Sequence, residues 1–316
     1  MNQDHIDPEL LELIANRPAL RLSVEKIQKS RDFIVQAAKA AKTTLDPAVK
    51  LDELHVTSRF GAGSIRVLRY QPSAISSHTP VVLHCHAGGF VMGVPEMAEL
   101  ENIRLVKELK CTIFSVDYRL APEEPYPAAL HDVYSVLCWI HDNADTLNID
   151  KARIGIKGES GGGGVAAGVA LFVRDTPGPK LAFQHLIYPM LDDRTVLRTD
   201  LHEHIGQVMW TNEHNRFGWQ SLLGKEPGLA DVSPYAAAAR ALDLRGLPPT
   251  FISVGALDLF CEENIAYAQR LLTQGVPVEL HVYPRAFHGF RNAARSRVAK
   301  QSALDSREAL RRSLYG

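Results

Sequence analysis

A short β-like run, Arg153-Ile154-Gly155-Ile156-Lys157, leads into Gly158-Glu159-Ser160-Gly161-Gly162 and then into a small, apolar stretch from Gly163 to Leu171. Strand, G-x-S-x-G, helix is the sequence form of a sharp turn that lifts a serine above the carboxyl edge of a sheet. The turn strains the serine backbone and leaves no room for a Cβ at the flanking positions, which is what Gly158 and Gly162 answer. The N–H of Gly161 then falls at a helix N-terminus, where it can face a developing oxyanion. A glycine-rich turn carrying an idle serine is the plain alternative. The strand before and the helix after are the context that separates the two.

The flanking sequence repeats a βα rhythm. Pro80-Val81-Val82-Leu83-His84-Cys85 reads as a buried strand and Met97–Leu109 as a helix. Thr112–Val116 reads as a strand, Ala128–Asn143 as a helix, and Phe183–Pro189 as a further strand. The last two strands are Thr250–Val254 and Val278–Tyr283, separated by a helix from Glu262 to Gln274 that stops at Gly275. Strands alternating with helices imply a mostly parallel sheet flanked by helices. Leu54–Thr57 and Ile65–Tyr70, joined by a turn at Gly61-Ala62-Gly63, read as an antiparallel hairpin at a sheet edge.

Three loops at the carboxyl ends of these strands carry chemistry. His86-Ala87-Gly88-Gly89-Phe90 follows the first buried strand, and its glycines let consecutive N–H groups converge on one point, the second half of an oxyanion hole. Asp258 follows the strand at Thr250 and His288 the strand at Val278, giving the chain order Ser160, Asp258, His288 that accompanies this strand–turn–helix arrangement. Glu262 and Glu263 are rivals of Asp258, but they fall inside a helix start. His281 sits within a strand and reads as structural. The charges of Asp117-Tyr118-Arg119 end a buried strand and need partners, so an Asp117–Arg119 network bracing the His86 loop is expected. His84 and His86 have no third ligand at a recognisable spacing, so no metal is expected, and none at His202 or His204, which are expected to face solvent.

Two segments break the rhythm. Residues 1–50 are expected to be helical, with Asp7-Pro8-Glu9 as one start and a second helix from near Ser23. They read either as a cap over a site or as an extension on the surface. Residues 191–223 hold Met209, Trp210, Phe217 and Trp219, and read either as an insertion lining a pocket or as a surface excursion packed down by its aromatics. Residues 51–316 form the remaining α/β unit.

Net charge is −1, from 35 basic and 36 acidic residues, which removes any electrostatic argument for nucleic acid or an anionic membrane. Cys85, Cys111, Cys138 and Cys261 show no C-x-x-C spacing and read as buried thiols in a reducing compartment. The N-terminal residues lack the basic and apolar regions of a signal peptide, and no apolar run approaches membrane-spanning length, so a cytoplasmic location is expected.

The chain resembles the hormone-sensitive lipase family of α/β-hydrolase carboxylesterases over roughly residues 50 to 295. His86-Ala87-Gly88-Gly89 is similar to the family's H-G-G-G, with Ala87 for the first glycine. Asp117-Tyr118-Arg119-Leu120-Ala121-Pro122-Glu123 matches its D-Y-R-L-A-P-E. Gly158-Glu159-Ser160-Gly161-Gly162 resembles G-D-S-A-G, with Glu159 for Asp and Gly161 for Ala. Asp258, followed by Leu259 rather than proline, and His288-Gly289-Phe290 match the acid and histidine motifs. The resemblance implies an α/β-hydrolase fold with a helical cap and hydrolysis of small, short- to medium-chain acyl esters without a cofactor. Its machinery would be Ser160, Asp258 and His288 with the N–H groups of Gly88, Gly89 and Gly161. The resemblance also implies a homodimer. An amide hydrolase or deacetylase shares the same tetrahedral chemistry, and hydrolase folds of this kind also serve as ligand-binding proteins once the base is lost; here the serine, acid and histidine all remain.

Overall fold

The computed structural model describes residues 3–15, 22–41, 45–61, 63–74 and 78–316. Among them one sheet of eight strands runs in the order β1-β2-β4-β3-β5-β6-β7-β8. The strands are β1 (Val49–Thr57), β2 (Ser64–Pro72), β3 (Thr79–Cys85), β4 (Thr112–Val116), β5 (Ile149–Glu159), β6 (Gln184–Ile187), β7 (Thr250–Gly255) and β8 (Val278–Tyr283). β1 and β2 form the expected antiparallel hairpin at one edge, with Ala62 of its turn outside the described residues, and β2 runs antiparallel to β4. From β4 to β8 every pairing is parallel. β3 and β4 are buried along their whole length, which is why they read as unbroken apolar runs rather than alternating ones.

The helices are α1 (Leu11–Ala15), α2 (Ile27–Ala40), α3 (Glu99–Leu109), α4 (Ala128–Asp142), α5 (Ala144–Leu147), α6 (Gly161–Asp175), α7 (Asn212–Leu223), α8 (Cys261–Thr273) and α9 (Arg297–Tyr315). Val81, Leu83, Ile154, Ile156 and Leu186 point to one face of the sheet, where the apolar sides of α4, α6 and α8 cover them. Val82 and Ile113 point to the other, under α3 and α9. From β3 the chain steps to β4 on one side and, after returning, to β5 through β8 on the other. The crevice beyond the carboxyl ends of β3 and β5 therefore lies where strand order reverses, the place at which open α/β sheets build sites.

The N-terminal region departs from expectation in detail. The second helix starts at Ile27 rather than near Ser23; Val24 is 66% exposed, whereas Ile27 is buried and enters the core. Asp7 caps a single 3-10 turn, accepting from the Glu9 N–H at 2.9 Å, ahead of α1. Residues 16–21 and 42–44, also expected to be helical, lie outside the described residues. Both described pieces dock beside the crevice. Arg285 donates to the carbonyls of Asp4 and Ile6 at 2.7 and 2.8 Å, while Arg31 of α2 donates to the carbonyls of Val91 and Ala121, both at 2.8 Å. α9, for which the sequence reading had no expectation, starts at Ser296, whose hydroxyl accepts from the Ala299 N–H at 3.2 Å.

Candidate active site

β5 ends at Glu159 and α6 begins at Gly161, so Ser160 alone makes the turn, with φ 55° and ψ −123°. A non-glycine residue at positive φ is strained and must be held. Here the Ser160 N–H donates to the Ile187 carbonyl at 2.9 Å, and the Ser160 carbonyl accepts from Gly164 and Met190, both at 3.1 Å. The flanking glycines are sterically required. A Cβ on Gly158 would lie 2.2 Å from the Gly162 carbonyl oxygen, and one on Gly162 would lie 2.2 Å from that of His86.

The loops after β7 and β8 meet above this turn. Ser160 Oγ lies 2.8 Å from His288 Nε2, and His288 Nδ1 lies 2.8 Å from Asp258 Oδ2. A carboxylate cannot donate, so the imidazole proton sits on Nδ1 and Nε2 accepts from the serine hydroxyl. Asp258 is fully buried, and its second oxygen accepts from the Phe260 N–H at 2.9 Å. Phe260 and Tyr188 meet the His288 ring edge-on, with centroids 5.1 and 4.8 Å away. The rival acids are occupied elsewhere. Glu262 pairs with Arg198 at 2.8 Å. Glu263 is buried and accepts from the Leu191 N–H at 2.7 Å and from the Thr195 hydroxyl, and burial pushes its carboxyl well above the usual range. His281 pairs with Glu279 at 2.8 Å on β8, as a structural histidine would.

On the other side of Ser160, the loop after β3 folds over Gly161. Gly88 has φ 145°, and a Cβ there would overlap the Met92 carbonyl. A Cβ on Gly161 would lie 2.8 Å from the Gly89 nitrogen and 2.6 Å from that of Phe90. The glycine that replaces the family's alanine therefore lets this loop lie closer to the elbow than a side chain would allow. Among the described residues no backbone acceptor takes the N–H groups of Gly88, Gly89 or Gly161. The Trp210 indole presses on Gly89 from above, its ring centroid 6.2 Å from that of His288. Trp219 is fully buried against Phe90, with centroids 5.0 Å apart, so Trp210 and Trp219 of 191–223 pack onto the loop after β3 rather than face outward.

The expected Asp117–Arg119 network does not form. Asp117 pairs with Arg66 at 3.2 Å, and Arg119 makes a two-pronged contact with buried Asp132, at 2.9 Å through Nη2. Side chains one residue apart either side of Tyr118 are drawn to different elements, β2 and α4. The residue between them does the bracing: the Tyr118 hydroxyl donates to the His86 carbonyl at 2.7 Å, and its ring stacks on the His86 imidazole at 4.2 Å. Burial holds the His84 and His86 imidazoles below the ordinary histidine range, so both are neutral supports. His202 is exposed as expected, but His204 is half-buried and stacks on His5 at 3.6 Å.

Beneath the serine lies a group of charges that the motif reading did not assemble. Lys157, buried in β5, donates to Glu159 at 2.7 Å, and Arg291 comes within 3.6 Å of the same oxygen and 3.3 Å of Glu101 on α3. Burial opposes ionisation of Glu159, but Lys157 and Arg291 outweigh it and hold the carboxyl well below the usual range. A lysine inside an apolar strand and an arginine just past the histidine motif were the available signals.

A family model described as alpha/beta hydrolase fold matches residues 82–292. The chain is 33% identical to the carboxylesterase NlhH of Mycobacterium tuberculosis over 92% of its own length and 90% of that protein's. Among solved structures it is similar to a bacterial heroin esterase, with a TM-score of 0.93 and 35% identity over 99% of both chains. It is also similar to the esterase LipW of Mycobacterium marinum, with a TM-score of 0.87 and 34% identity over 99% of this chain and 98% of that one.

Proposed function

Because the chain belongs to the alpha/beta hydrolase fold family, in its hormone-sensitive-lipase-like branch of carboxylesterases, we propose that it hydrolyses carboxylic esters through an acyl-enzyme formed on Ser160. The observation that carries this reading is the run of two 2.8 Å contacts, Ser160 to His288 to Asp258, at the carboxyl edge of the sheet. His288 takes the serine proton as Oγ attacks the carbonyl and returns it to the leaving alcohol; Asp258 orients the imidazole and stabilises the imidazolium. The oxyanion faces the N–H groups of Gly88, Gly89 and Gly161, each donor worth about 3 kcal/mol of barrier. Water then attacks the acyl-enzyme with His288 as base, so the two proton transfers use one residue and no cofactor.

The substrate is a small ester with a short to medium acyl chain. Trp210 above Gly89 and the rings of Tyr188 and Phe260 around His288 support a confined, apolar site. The docking of residues 3–15 and α2 on either side of the crevice supports reading residues 1–50 and 191–223 as two parts of one cap on the catalytic unit. All four cysteines are buried and unpaired, which supports a reducing compartment such as the cytoplasm. Among the described residues no helix is long and apolar enough to cross a membrane. A homodimer is part of the same reading, supported by β8, which ends the sheet with Val282 40% exposed; light scattering at one monomer mass would refute it.

Covalent labelling tests the nucleophile. Diethyl p-nitrophenyl phosphate should release one equivalent of p-nitrophenolate and leave one diethylphosphoryl group on the peptide carrying Ser160. A label on another residue, or loss of activity with no label, contradicts the assignment.

A further inference from the structure

The charges under Ser160 call for a reason beyond stability, because a buried ion pair seldom stabilises more than apolar packing of the same volume. Their placement supplies one. Glu159 and Ser160 are consecutive and leave the end of β5 on opposite sides; His288 and Arg291 lie three residues apart in one loop. Between them Gly289, at φ 73°, reverses the chain, and the turn is closed by Phe290 N–H to the Phe287 carbonyl at 3.2 Å and Asn292 N–H to the Gly289 carbonyl at 3.0 Å. The loop thus presents His288 to Ser160 and Arg291 to Glu159, so the catalytic hydrogen bond and the ion pair cross-link the same two segments. The loop is also tied to the loop after β7, by His288 to Asp258 at 2.8 Å and by the Leu257 N–H to the Ala286 carbonyl at 2.9 Å. The ion pair adds a second link to β5 itself, beside the one from His288 to Ser160.

The pair is built in on all sides. Lys157 holds one oxygen of Glu159 from within the strand, and Glu101 holds Arg291 from α3, so charges alternate in sign from β5 through the base loop to α3. Arg291 Nη1 is buried and has no hydrogen-bond partner among the described residues; it faces Glu159 at 3.6 Å as a charge. In the same layer Ser115, His84, Lys157 and His185 lie side by side in register across four strands, so the ion pair sits at the end of a polar row that crosses the sheet beneath the elbow.

We propose that Glu159 and Arg291 are positioning residues, whose ion pair sets the orientation of the base loop and hence the Ser160–His288 geometry during turnover. The proposal rests on the reading of Ser160 as nucleophile. It assigns no contact with substrate to either residue, so it predicts an effect on kcat with KM little changed.

The test is steady-state hydrolysis of a p-nitrophenyl ester by four variants whose folding is checked by circular dichroism. Glu159→Gln and Arg291→Met should each lower kcat by about 10- to 100-fold, the scale on which displacing a reacting group by an ångström costs rate. The double variant should lose no more than the worse single one, the signature of one shared function. Glu159→Asp, which keeps the charge and is the residue of the resembling motif, should recover most of the rate. If Glu159→Gln fails to fold because Lys157 is left unpaired, Lys157→Met with Glu159→Gln removes both charges, and the same loss of kcat is expected. Unchanged kcat in the folded variants, additive losses, or a Glu159→Asp variant as slow as Glu159→Gln would overturn the proposal. Should Ser160→Ala retain turnover, the nucleophile reading fails instead; an inactive Ser160→Ala beside a fully active Glu159→Gln overturns the proposal alone.

Discussion

The two faces of the central sheet are built on different chemistry. The face under α4, α6 and α8 is built mainly on apolar contact, with Leu83, Ile154, Ile156 and Leu186 fully buried, and polar side chains buried on it bond among themselves, Gln184 to Thr250 at 2.9 Å and Thr79 to Thr112 at 2.8 Å. The opposite face is apolar where β2, β3 and β4 meet α3 and α9, but toward the carboxyl ends it carries Ser115, His84, Lys157, Glu159 and His185. The first face gains its stability from area removed from water, which is indifferent to direction. The second spends burial on directed contacts: His84 to Ser115 at 2.8 Å, His185 to Ser306 at 2.8 Å, Lys157 to Glu159 at 2.7 Å. Ser160 turns at the seam between the two. The two faces thus divide by kind of contact, one held by area removed from water and the other by directed contacts beneath Ser160.

The largest effect should fall at the seam. Asp258→Asn keeps the shape of the acid but reverses the imidazole tautomer it selects, and kcat should fall about 10⁴-fold with thermal stability little changed; steady-state kinetics beside a melting curve reads both. On the apolar face the split should run the other way. Leu137→Ala in α4, whose side chain is fully buried, should cost about 2–5 kcal/mol in urea unfolding and leave kcat/KM as it was. A large loss of kcat in that variant would show that the two faces do not act separately.

Two smaller effects sharpen this contrast. Trp210→Phe, above the oxyanion loop, should raise the ratio of kcat/KM for octanoate over acetate esters roughly tenfold, since it adds room where the wall is tightest; an unchanged ratio removes Trp210 from the pocket wall. The polar face should also be the pH-sensitive one. Glu159 has a folded pKa below its unfolded value, so between the two the unfolded chain binds the extra proton and stability rises with pH. The advantage of the wild type over Glu159→Gln in urea unfolding should be complete above the unfolded value of about 4.3 and shrink as pH falls below it. A difference that is flat from neutral pH to pH 3 would show that the charge contributes nothing.

Much of the architecture was legible because it rests on local signals. Buried parallel strands write themselves as apolar runs, and Ser160, Asp258 and His288 each stand in a loop directly after such a run, so strand order alone brings them to one edge. The polar face was not legible. Lys157 and His185 occupy single positions in strands that otherwise read as core, and nothing local says that they lie side by side. Asp117 and Arg119 were read as partners because they are neighbours in sequence, whereas side chains flanking a strand end diverge, to Arg66 and Asp132. α9 has the lowest mean hydropathy of the longer helices, and its buried face mixes Ser302 and Ser306 with Ala299, Ala309, Leu310 and Leu314, so its apolar residues are few although they recur at helical spacing.

Everything proposed above depends on ester hydrolysis at Ser160 in a confined pocket. A series of p-nitrophenyl esters from acetate to palmitate, run on wild type and on Ser160→Ala, tests it directly. Turnover should peak at short or medium chains and fall by roughly a millionfold in the variant, with its fold unchanged. Full turnover in a folded Ser160→Ala protein would contradict it.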